Sequence, residues 1–284
     1  MPRRLYFVLA LALFSVSTTS LVIRYLNAVP PIVIAFWRMF TAGSILWGYS
    51  VYQPAGKLNK KNRLKILLAG IFLGGHFACF FAAVSLTTIA NATLLGNVAP
   101  VFTSLFERLQ GKPWNSSITM GLILSLCGAL IIQGFNFNDH GNTTGNGLAL
   151  LSSFFMALAW MLAKKIRKNT STVIYSRHLF IIASVVILFI VVAMGDSIFD
   201  FNRSHTPWFL FLGLVPSILG HNLLNYSVRF ISSTAVASVV LGEPLLASFF
   251  GFLLFQEHIP TTSLIGGPVT LIGLYYILKN QSSN

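Results

Sequence analysis

One acidic residue stands inside a long apolar stretch of this chain. Glu243 lies in VVLGEPLLASFFGFLLFQEHIP, residues 239–260, directly before Pro244. An ionised carboxylate is costly in hydrocarbon, and proline removes a backbone hydrogen-bond donor from a helix. A carboxyl group in such a place can bind a cationic or amine group, or it can carry a proton. The structural alternative is a protonated, hydrogen-bonded carboxyl that fixes the packing of its helix.

Further polar and aromatic residues within apolar stretches are candidates for contacts with a substrate or a coupling ion. They are His76, Asn97, Trp160, His221, Asn225 and Tyr226. In HNLLNYS the spacing places His221, Asn225 and Tyr226 about one helical turn apart. Two histidines without HxxxH or carboxylate spacing make a weak metal site, so we predict no metal and no cofactor. Hydrogen bonds between helices and, for Trp160, core packing are the structural alternatives.

Two arginines, Arg38 in FWRMF and Arg177 in YSRHL, also fall within apolar stretches. Each lies about two turns from a predicted helix start, so its side chain could extend to the nearer membrane interface. Capture of an anionic substrate group, or pairing with Glu243, is the functional alternative. We favour the structural interpretation for both arginines.

The composition identifies an integral membrane protein. The chain has 284 residues, of which 55% are hydrophobic and only 9% are charged, and its mean hydropathy is +0.76. Soluble domains are about a quarter charged. The net charge of +13 comes from short basic clusters between apolar runs, a pattern that sets membrane topology and does not indicate nucleic-acid binding. Cys79 and Cys127 lie in apolar stretches and are predicted to be free thiols.

Apolar runs of about 20 residues, the length that spans a bilayer, predict ten transmembrane helices. The first continues past the length of a signal peptide, so we expect it to be retained. The other runs are separated by short segments rich in Gly, Asn and Lys. The predicted helices are 5–24, 31–52, 65–85, 89–108, 117–136, 146–165, 172–194, 207–228, 233–255 and 261–278.

The distribution of Lys and Arg orients these helices. Nearly all of the 19 basic residues fall in segments on the same side as the N-terminus, whereas Arg24 and Arg203 fall on the other side. Because basic loops stay cytoplasmic, both termini are predicted to be cytoplasmic. We therefore expect a multi-pass protein of the inner, cytoplasmic membrane.

The two halves of the chain resemble each other. GHFACFFAAVSLTTIANATLLGNVAP, which ends at Pro100, aligns with GHNLLNYSVRFISSTAVASVVLGEP, which ends at Pro244. The halves, 1–138 and 145–284, would hold five helices each, so the second must enter the membrane in the opposite orientation. The basic loops agree with this inversion. Inverted repeats with a site near the midplane are typical of secondary transporters, and the two matched prolines are predicted to kink helices around a cavity.

The segments AFWRMFTAGSIL, TTIANATLLGNVAPVFTSL and GHNLLNYSVRFISSTAVASVVLGEPLLASFFGFLLFQEHIP resemble the EamA repeats of the drug/metabolite transporter superfamily. The resemblance covers nearly the whole chain and is most specific at GEP and the later QE, which are similar to the family pattern EP…GE. The GH…N before GEP points to one subgroup. Gln256-Glu257 replaces Gly-Glu, and the first repeat has Ala99-Pro100 and Lys112-Pro113, so it lacks both acids.

The resemblance implies an all-α, ten-helix inner-membrane carrier with a cavity between its halves. We predict secondary transport of a small polar or amphipathic metabolite, amino-acid-like or drug-like, by alternating access, with export as the direction and import as the alternative. Proton or sodium coupling is expected, and the carrier would be a monomer or homodimer in contact with membrane lipid. Because GxSxG, HExxH and paired aspartates are all missing from the sequence, we predict no enzyme. A channel is a further alternative.

Overall fold

The computed structural model describes residues 2–26, 28–53, 56–113, 115–133, 142–256 and 258–281. These residues form helices and connecting turns, with no strand among them. The chain is thus an all-α protein, as predicted. The helices of the first half are α1 (Arg3–Ser17), α2 (Thr19–Tyr25), α3 (Pro31–Tyr52), α4 (Arg63–Leu86), α5 (Ile89–Gly96), α6 (Ala99–Leu109) and α7 (Ser116–Gln133).

The second half repeats this order with different interruptions. A π-helical segment, Gly213–His221, contains Pro216 and joins α10 to α11. A 3-10 turn, Val240–Gly242, joins α12 to α13. The helices are α8 (Thr143–Ile166), α9 (Thr172–Ala193), α10 (Thr206–Leu212), α11 (Asn222–Ser227), α12 (Ser233–Val239), α13 (Glu243–Phe255) and α14 (Thr261–Lys279).

Ten segments cross the bundle, and they match the ten predicted spans. Nine of them, within the described residues, are helical stretches long and apolar enough to cross a membrane. The predicted span 89–108 is instead divided between α5 and α6, because the helix is interrupted at Asn97 and Val98. Asp139, Glu257 and the end of the predicted span 117–136 lie outside the described residues.

The bundle has two ends, which we name by the chain termini. The terminal face is the end where α1 begins and α14 ends, and it also holds the end of α6 and the start of α12. The distal face is the opposite end, where α5 and α8 begin and α13 ends. Contacts agree with this assignment: Ser232 N donates to Gln281 Oε1 at the terminal face, and Thr87 Oγ1 donates to Asn146 Oδ1 at the distal face.

The packing follows a two-fold exchange of the halves. The third segment of the first half (α4) packs on the first of the second half (α8), and the third segment of the second half packs on α1. Likewise, α4 packs on α9, and α10 with the π-helical segment packs on α3. The matched segments α3 and α9, and α7 and α14, pack on each other. Exchanging the halves thus preserves the pairs, as expected of two inverted five-helix repeats.

The pair α7–α14 is packed closely along its length by small residues. A Cβ atom added to Gly121 would lie 2.7 Å from the carbonyl oxygen of Gly273, and one added to Gly128 would lie 2.5 Å from Thr270 N. Glycine at these positions therefore permits the two backbones to touch, as is common between membrane helices.

The matched segments α5–α6 and α12–α13 are both interrupted just before a proline. Thr88 and Ser232 cap the two segments, each accepting from the backbone N–H three residues later. The same number of residues separates Thr88 from Pro100 and Ser232 from Pro244. Each proline lies in the first turn of the helix that follows the interruption, where its missing N–H has no partner to lose. The two interruptions meet in the middle of the bundle.

Candidate functional site

A cavity of about 100 Å³ lies at the middle of the bundle, between the two interruptions. Larger grooves, of about 310 and 410 Å³, lie at the terminal face, but basic and polar residues of that face line much of both. The central cavity instead collects residues that the sequence singled out as candidates. These are Arg38, His76, Asn97, Trp160, His221 and Glu243.

Arg38 enters the cavity from α3 and is only 4% exposed. Its Nε atom donates to Ser217 Oγ at 3.1 Å, and Ser217 is held in turn by the carbonyl oxygen of Leu212. The guanidinium carbon lies 5.1 Å from the centre of the Phe77 ring. The π-helical segment and α4 therefore fix the arginine, which leaves its terminal amino groups for the cavity.

Glu243 enters from the opposite side, at the first residue of α13. Asn97, from the interruption between α5 and α6, and Arg38, from α3, line the cavity together with this carboxyl group. Arg38 and Glu243 nevertheless form no ion pair; within the described parts of the chain the only pair closer than 4.0 Å is Lys112–Glu107. A guanidinium and a carboxyl group thus face one cavity without forming an ion pair.

The two matched histidines line the same cavity. His76 Nδ1 lies 2.8 Å from Ser152 Oγ and 3.0 Å from the Ser152 carbonyl oxygen, so α8 fixes its ring. The rings of His76 and His221 both pack against Phe77, with centroids 4.9 and 6.0 Å away. Phe77 therefore lies among His76, His221 and Arg38 and separates their polar groups.

Trp160 belongs to the part of the wall nearest the terminal face. The residue is 4% exposed, and its carbonyl oxygen accepts from Ser233 Oγ at 3.2 Å. Ala237 and Val240, from the segment that follows Ser233, line the cavity beside it. The tryptophan thus contributes both to the core and to the cavity wall, which were the two alternatives for it.

Arg177 does not reach the cavity, although it is the counterpart of Arg38. Its guanidinium carbon lies 4.3 Å from the centre of the Trp47 ring, near the terminal face, and its Nε atom has no hydrogen-bond partner. Trp47 is 41% exposed on the outside of the bundle. This position fits the structural interpretation for Arg177, whereas the position of Arg38 fits the functional alternative.

Asn225 and Tyr226 do not line the central cavity. Asn225 donates to Ser176 Oγ at 3.2 Å, and its carbonyl oxygen accepts from Arg167 Nε at 2.9 Å. Arg167 follows the last turn of α8; its burial lowers the pKa to about 10, so it is still cationic at neutral pH. Tyr226 packs on Phe230, with ring centroids 5.1 Å apart. His221 and Asn225 both border a small neighbouring pocket of about 10 Å³, but of the three residues predicted to share a face only His221 lines the central cavity.

Several residues that line the cavity were not predicted from the sequence. Phe80 and Phe81 follow His76 in GHFACFF and could have been found as an aromatic group one turn from a candidate histidine. Thr19 and Thr93 are small polar residues of apolar segments, of which the chain has many. In the sequence, Glu107 falls at the end of the predicted span 89–108, where charged residues are ordinary. In the structure the residue is only 8% exposed, and its side chain is hydrogen-bonded to the other half of the molecule.

Comparison with known proteins bears on the whole chain. The sequence model of the EamA-like transporter family matches residues 3–134 and 143–279. An uncharacterized transporter of Archaeoglobus fulgidus is 25% identical over 90% of this chain and 90% of its own. The pseudopaline exporter CntI of Pseudomonas aeruginosa strain UCBPP-PA14 is 24% identical, over 92% and 91%.

More distant similarity extends to animals and to a solved structure. Solute carrier family 35 member G1 of Homo sapiens is 21% identical over 94% of this chain and 76% of its own. A solved crystal structure superimposes with a TM-score of 0.82 at 14% identity, covering 96% of this chain and 97% of the other. At that identity the likeness establishes a shared fold.

Proposed function

Because the chain belongs to the EamA-like transporter family, we propose that it is a secondary transporter that carries a small zwitterionic metabolite by alternating access. Membership makes the protein a membrane transporter and not an enzyme. The observation that carries the proposal is the placement of Arg38 and Glu243 on one cavity without an ion pair.

The two charges favour a solute that bears both an anionic and a cationic group. Charges inside a membrane protein are costly unless they are paired or face a cavity, and such groups commonly bind substrate. Arg38 would receive a carboxylate, since its guanidinium is held from behind by Ser217. Glu243 would receive an ammonium group, with Asn97 beside it. A solute with only one of these charges would leave one of the two residues unneutralised.

The rest of the wall suits an apolar side chain on the solute. Phe77, Phe80, Phe81 and Trp160 all line the cavity. Aromatic walls with a few polar groups are typical of small-molecule sites, because the apolar area contributes affinity while the polar groups fix orientation. An amino acid with an apolar side chain has this combination of groups.

The proposal extends to the coupling and the direction of transport. In the absence of solute, a proton can neutralise Glu243 in place of the ammonium group, so proton exchange would drive transport; sodium coupling is the alternative. We propose export across the cytoplasmic membrane, with the termini in the cytoplasm. A pseudopaline exporter among the relatives supports this direction. Import by the same fold is the second candidate.

Movement would be a rocking of the halves, 1–138 against 145–284, about the cavity. The arrangement of the site supports this movement, because both halves contribute residues to the cavity. Arg38, His76 and Asn97 come from the first half, and His221 and Glu243 come from the second. A solute bound to both halves would bridge them.

The test is uptake into proteoliposomes of three solutes that share an isobutyl group: leucine, isoamylamine and isocaproate. Leucine carries both charges, isoamylamine only the cation and isocaproate only the anion. We expect leucine to be taken up at least about tenfold faster than either analogue, the difference that one unpaired buried charge produces. Arg38→Gln should remove the preference over isoamylamine, and Glu243→Gln the preference over isocaproate and the dependence of uptake on pH.

Arg177→Gln is the matched control, because Arg177 is the counterpart of Arg38 but stacks on Trp47 outside the cavity. Equal uptake of all three solutes by the unmodified protein would overturn the zwitterion proposal. Unchanged pH dependence in Glu243→Gln would overturn proton coupling through that residue.

A further inference from the structure

Glu107 connects the two halves of the molecule at the terminal face. The residue lies in the last turns of α6, and its Oε1 atom accepts from Ser233 N, the first residue of α12, at 3.0 Å. Its Oε2 atom accepts from Thr234 Oγ1 at 3.0 Å. Lys112 Nζ lies 2.9 Å from Oε1 on the outer side. One carboxylate of the first half thus holds the start of a helix of the second half.

These contacts belong to a buried layer between the cavity and the terminal face. Thr103, one turn before Glu107 on the same side of α6, is 0% exposed. Ser233 and Thr234 are 0% and 1% exposed, and α6 packs against α12. Water and solute therefore have no passage from the cavity to the terminal face between these two helices.

The distal ends of the same segments are arranged differently. Where α6 packs on α12, the counterparts α5 and α13 have at most marginal contact within the described residues. Thr19, Phe80, Phe81 and Thr93 form the distal part of the cavity wall. If Pro100 is aligned with Pro244, the counterpart of Glu107 is Gly251 and that of Thr234 is Ala90. These two counterpart positions thus have neither a carboxylate nor a hydroxyl group.

We propose that Glu107 is the latch that closes the cavity toward the terminal face, and that its release from Ser233 and Thr234 opens that face. The proposal rests on the proposed function, because a latch matters only if the cavity alternates between two faces. A hydrogen bond to a charged acceptor is stronger than one between neutral groups, so a single carboxylate can determine the balance between two packed arrangements.

The surroundings of Glu107 would accommodate the released carboxylate. The two large grooves of the terminal face both border Glu107, Lys112 and Lys164. Lys164 Nζ donates to the Ile231 carbonyl oxygen at 2.9 Å, close to the start of α12. After release, the carboxylate would still pair with Lys112 and would be hydrated by water in the grooves. Opening would therefore not leave an unpaired charge in an apolar environment.

The test measures the accessibility of two reporter cysteines in protein reconstituted in nanodiscs, where both faces meet the solution. Cys79 and Cys127 are first replaced by alanine. Thr103→Cys then reports on the layer beneath the latch, and Thr19→Cys on the distal part of the cavity. A water-soluble maleimide is the probe, and its rate of reaction with each cysteine is measured with and without latch variants.

Glu107→Ala should raise the labelling rate of the Thr103 reporter about tenfold and lower that of the Thr19 reporter, because losing charge-assisted hydrogen bonds shifts the population toward the opened face. Glu107→Gln and Thr234→Val, which preserve the size of the side chain, should change both labelling rates in the same directions but by smaller factors. They keep the proposal falsifiable if the alanine variant does not fold. Gln110→Ala is the matched control, because Gln110 is exposed at the end of the same helix and its side chain has no hydrogen bond to α12 within the described residues, and it should change neither rate.

Unchanged rates in both Glu107→Gln and Thr234→Val would overturn the latch. A rise at both reporters would also overturn it, because that result means general loosening. The labelling needs no transported solute, so the two proposals can fail separately. A change in the labelling rates without any solute flux would support the latch and contradict the transport proposal. Solute flux without a change in the labelling rates would support the transport proposal and contradict the latch.

Discussion

Two of the helix pairs that pack across the pseudo-two-fold axis of this protein differ in how far along their length they touch. The pair α7–α14 is in backbone contact at both Gly121–Gly273 and Gly128–Thr270. The pair formed by α5–α6 and α12–α13 packs closely only at the terminal face, where Glu107 holds Ser233 and Thr234. We call each of these two contact regions a seam. The α7–α14 seam is in contact at both positions, whereas the seam between α5–α6 and α12–α13 is in contact only at the terminal face.

The difference shows which parts of the bundle could move. A seam of glycines can slide or separate only by losing close contact along many residues. A seam interrupted at Asn97 and at Val240–Gly242 can pivot there, because the helices on either side of each interruption are separate units. The cavity lies at that pivot, so movement of the interrupted seam would change access to Arg38 and Glu243.

The largest effect is expected at the cavity itself. Arg38→Gln and Glu243→Gln should each reduce leucine uptake about a hundredfold, because each removes a buried charge that would pair with the solute. Arg177→Gln should reduce it less than about twofold. The initial rate of uptake into proteoliposomes is the measurement, and a comparable loss in the Arg177 variant would contradict the assignment of the site to one arginine of the matched pair.

The next effect concerns the α7–α14 seam. Gly128→Ala should destabilise the protein by about 1–3 kcal/mol, because its Cβ atom would meet the backbone of α14. Gly147→Ala is the control, since a Cβ atom there meets nothing within 4 Å, and it should leave the protein unchanged or slightly more stable. Thermal unfolding in detergent measures both, and equal melting temperatures would mean that the seam is not in close contact.

A smaller effect is expected where Arg38 is held in place. Ser217→Ala removes the hydrogen bond to Arg38 Nε, so the KM for leucine should rise about fivefold while kcat changes little. Ser184→Ala is the control; its hydroxyl is also buried but donates to the carbonyl oxygen of Ile181. An equal rise in KM for both variants would show that Ser217 has no particular role in positioning the arginine.

The smallest effect is expected at the outer partner of the latch. Lys112 is 42% exposed, so its pair with Glu107 is screened by water and contributes little. Lys112→Gln should change the labelling rate of the Thr103 reporter by about twofold or less. A change as large as that of Glu107→Ala would mean that the ion pair, and not the hydrogen bonds to α12, closes the terminal face.

Much of this architecture could be predicted from the sequence. Apolar runs and basic clusters identified ten segments, and the alignment of GNVAP with LGEP placed two interruptions opposite each other before either was seen. Glu243 was identified because a carboxylate in an apolar segment is rare. His76 and His221 were found through their matched repeat positions and Asn97 as a polar residue in an apolar stretch, and the structure places all three on one cavity.

The remaining details depended on packing that one sequence does not encode locally. Arg38 and Arg177 occupy equivalent positions, yet only the direction of each side chain in the bundle separates them. Asn225 was placed beside His221 by regular helical spacing, and the two do border one small pocket, but Asn225 donates to Ser176 and does not line the central cavity. Glu107 was assigned to a helix end, where charged residues are ordinary, and only the approach of α12 makes it a buried contact between the halves.

The central claim, that a solute binding to both Arg38 and Glu243 is carried through the molecule, is tested most directly by counterflow. Proteoliposomes loaded with unlabelled leucine are diluted into radiolabelled leucine, and uptake is followed against empty liposomes. We predict saturable uptake that internal leucine accelerates, with loss of this acceleration in Arg38→Gln and Glu243→Gln and its retention in Arg177→Gln. Uptake that rises linearly with concentration and ignores internal leucine, or that equals uptake by empty liposomes, would contradict the account.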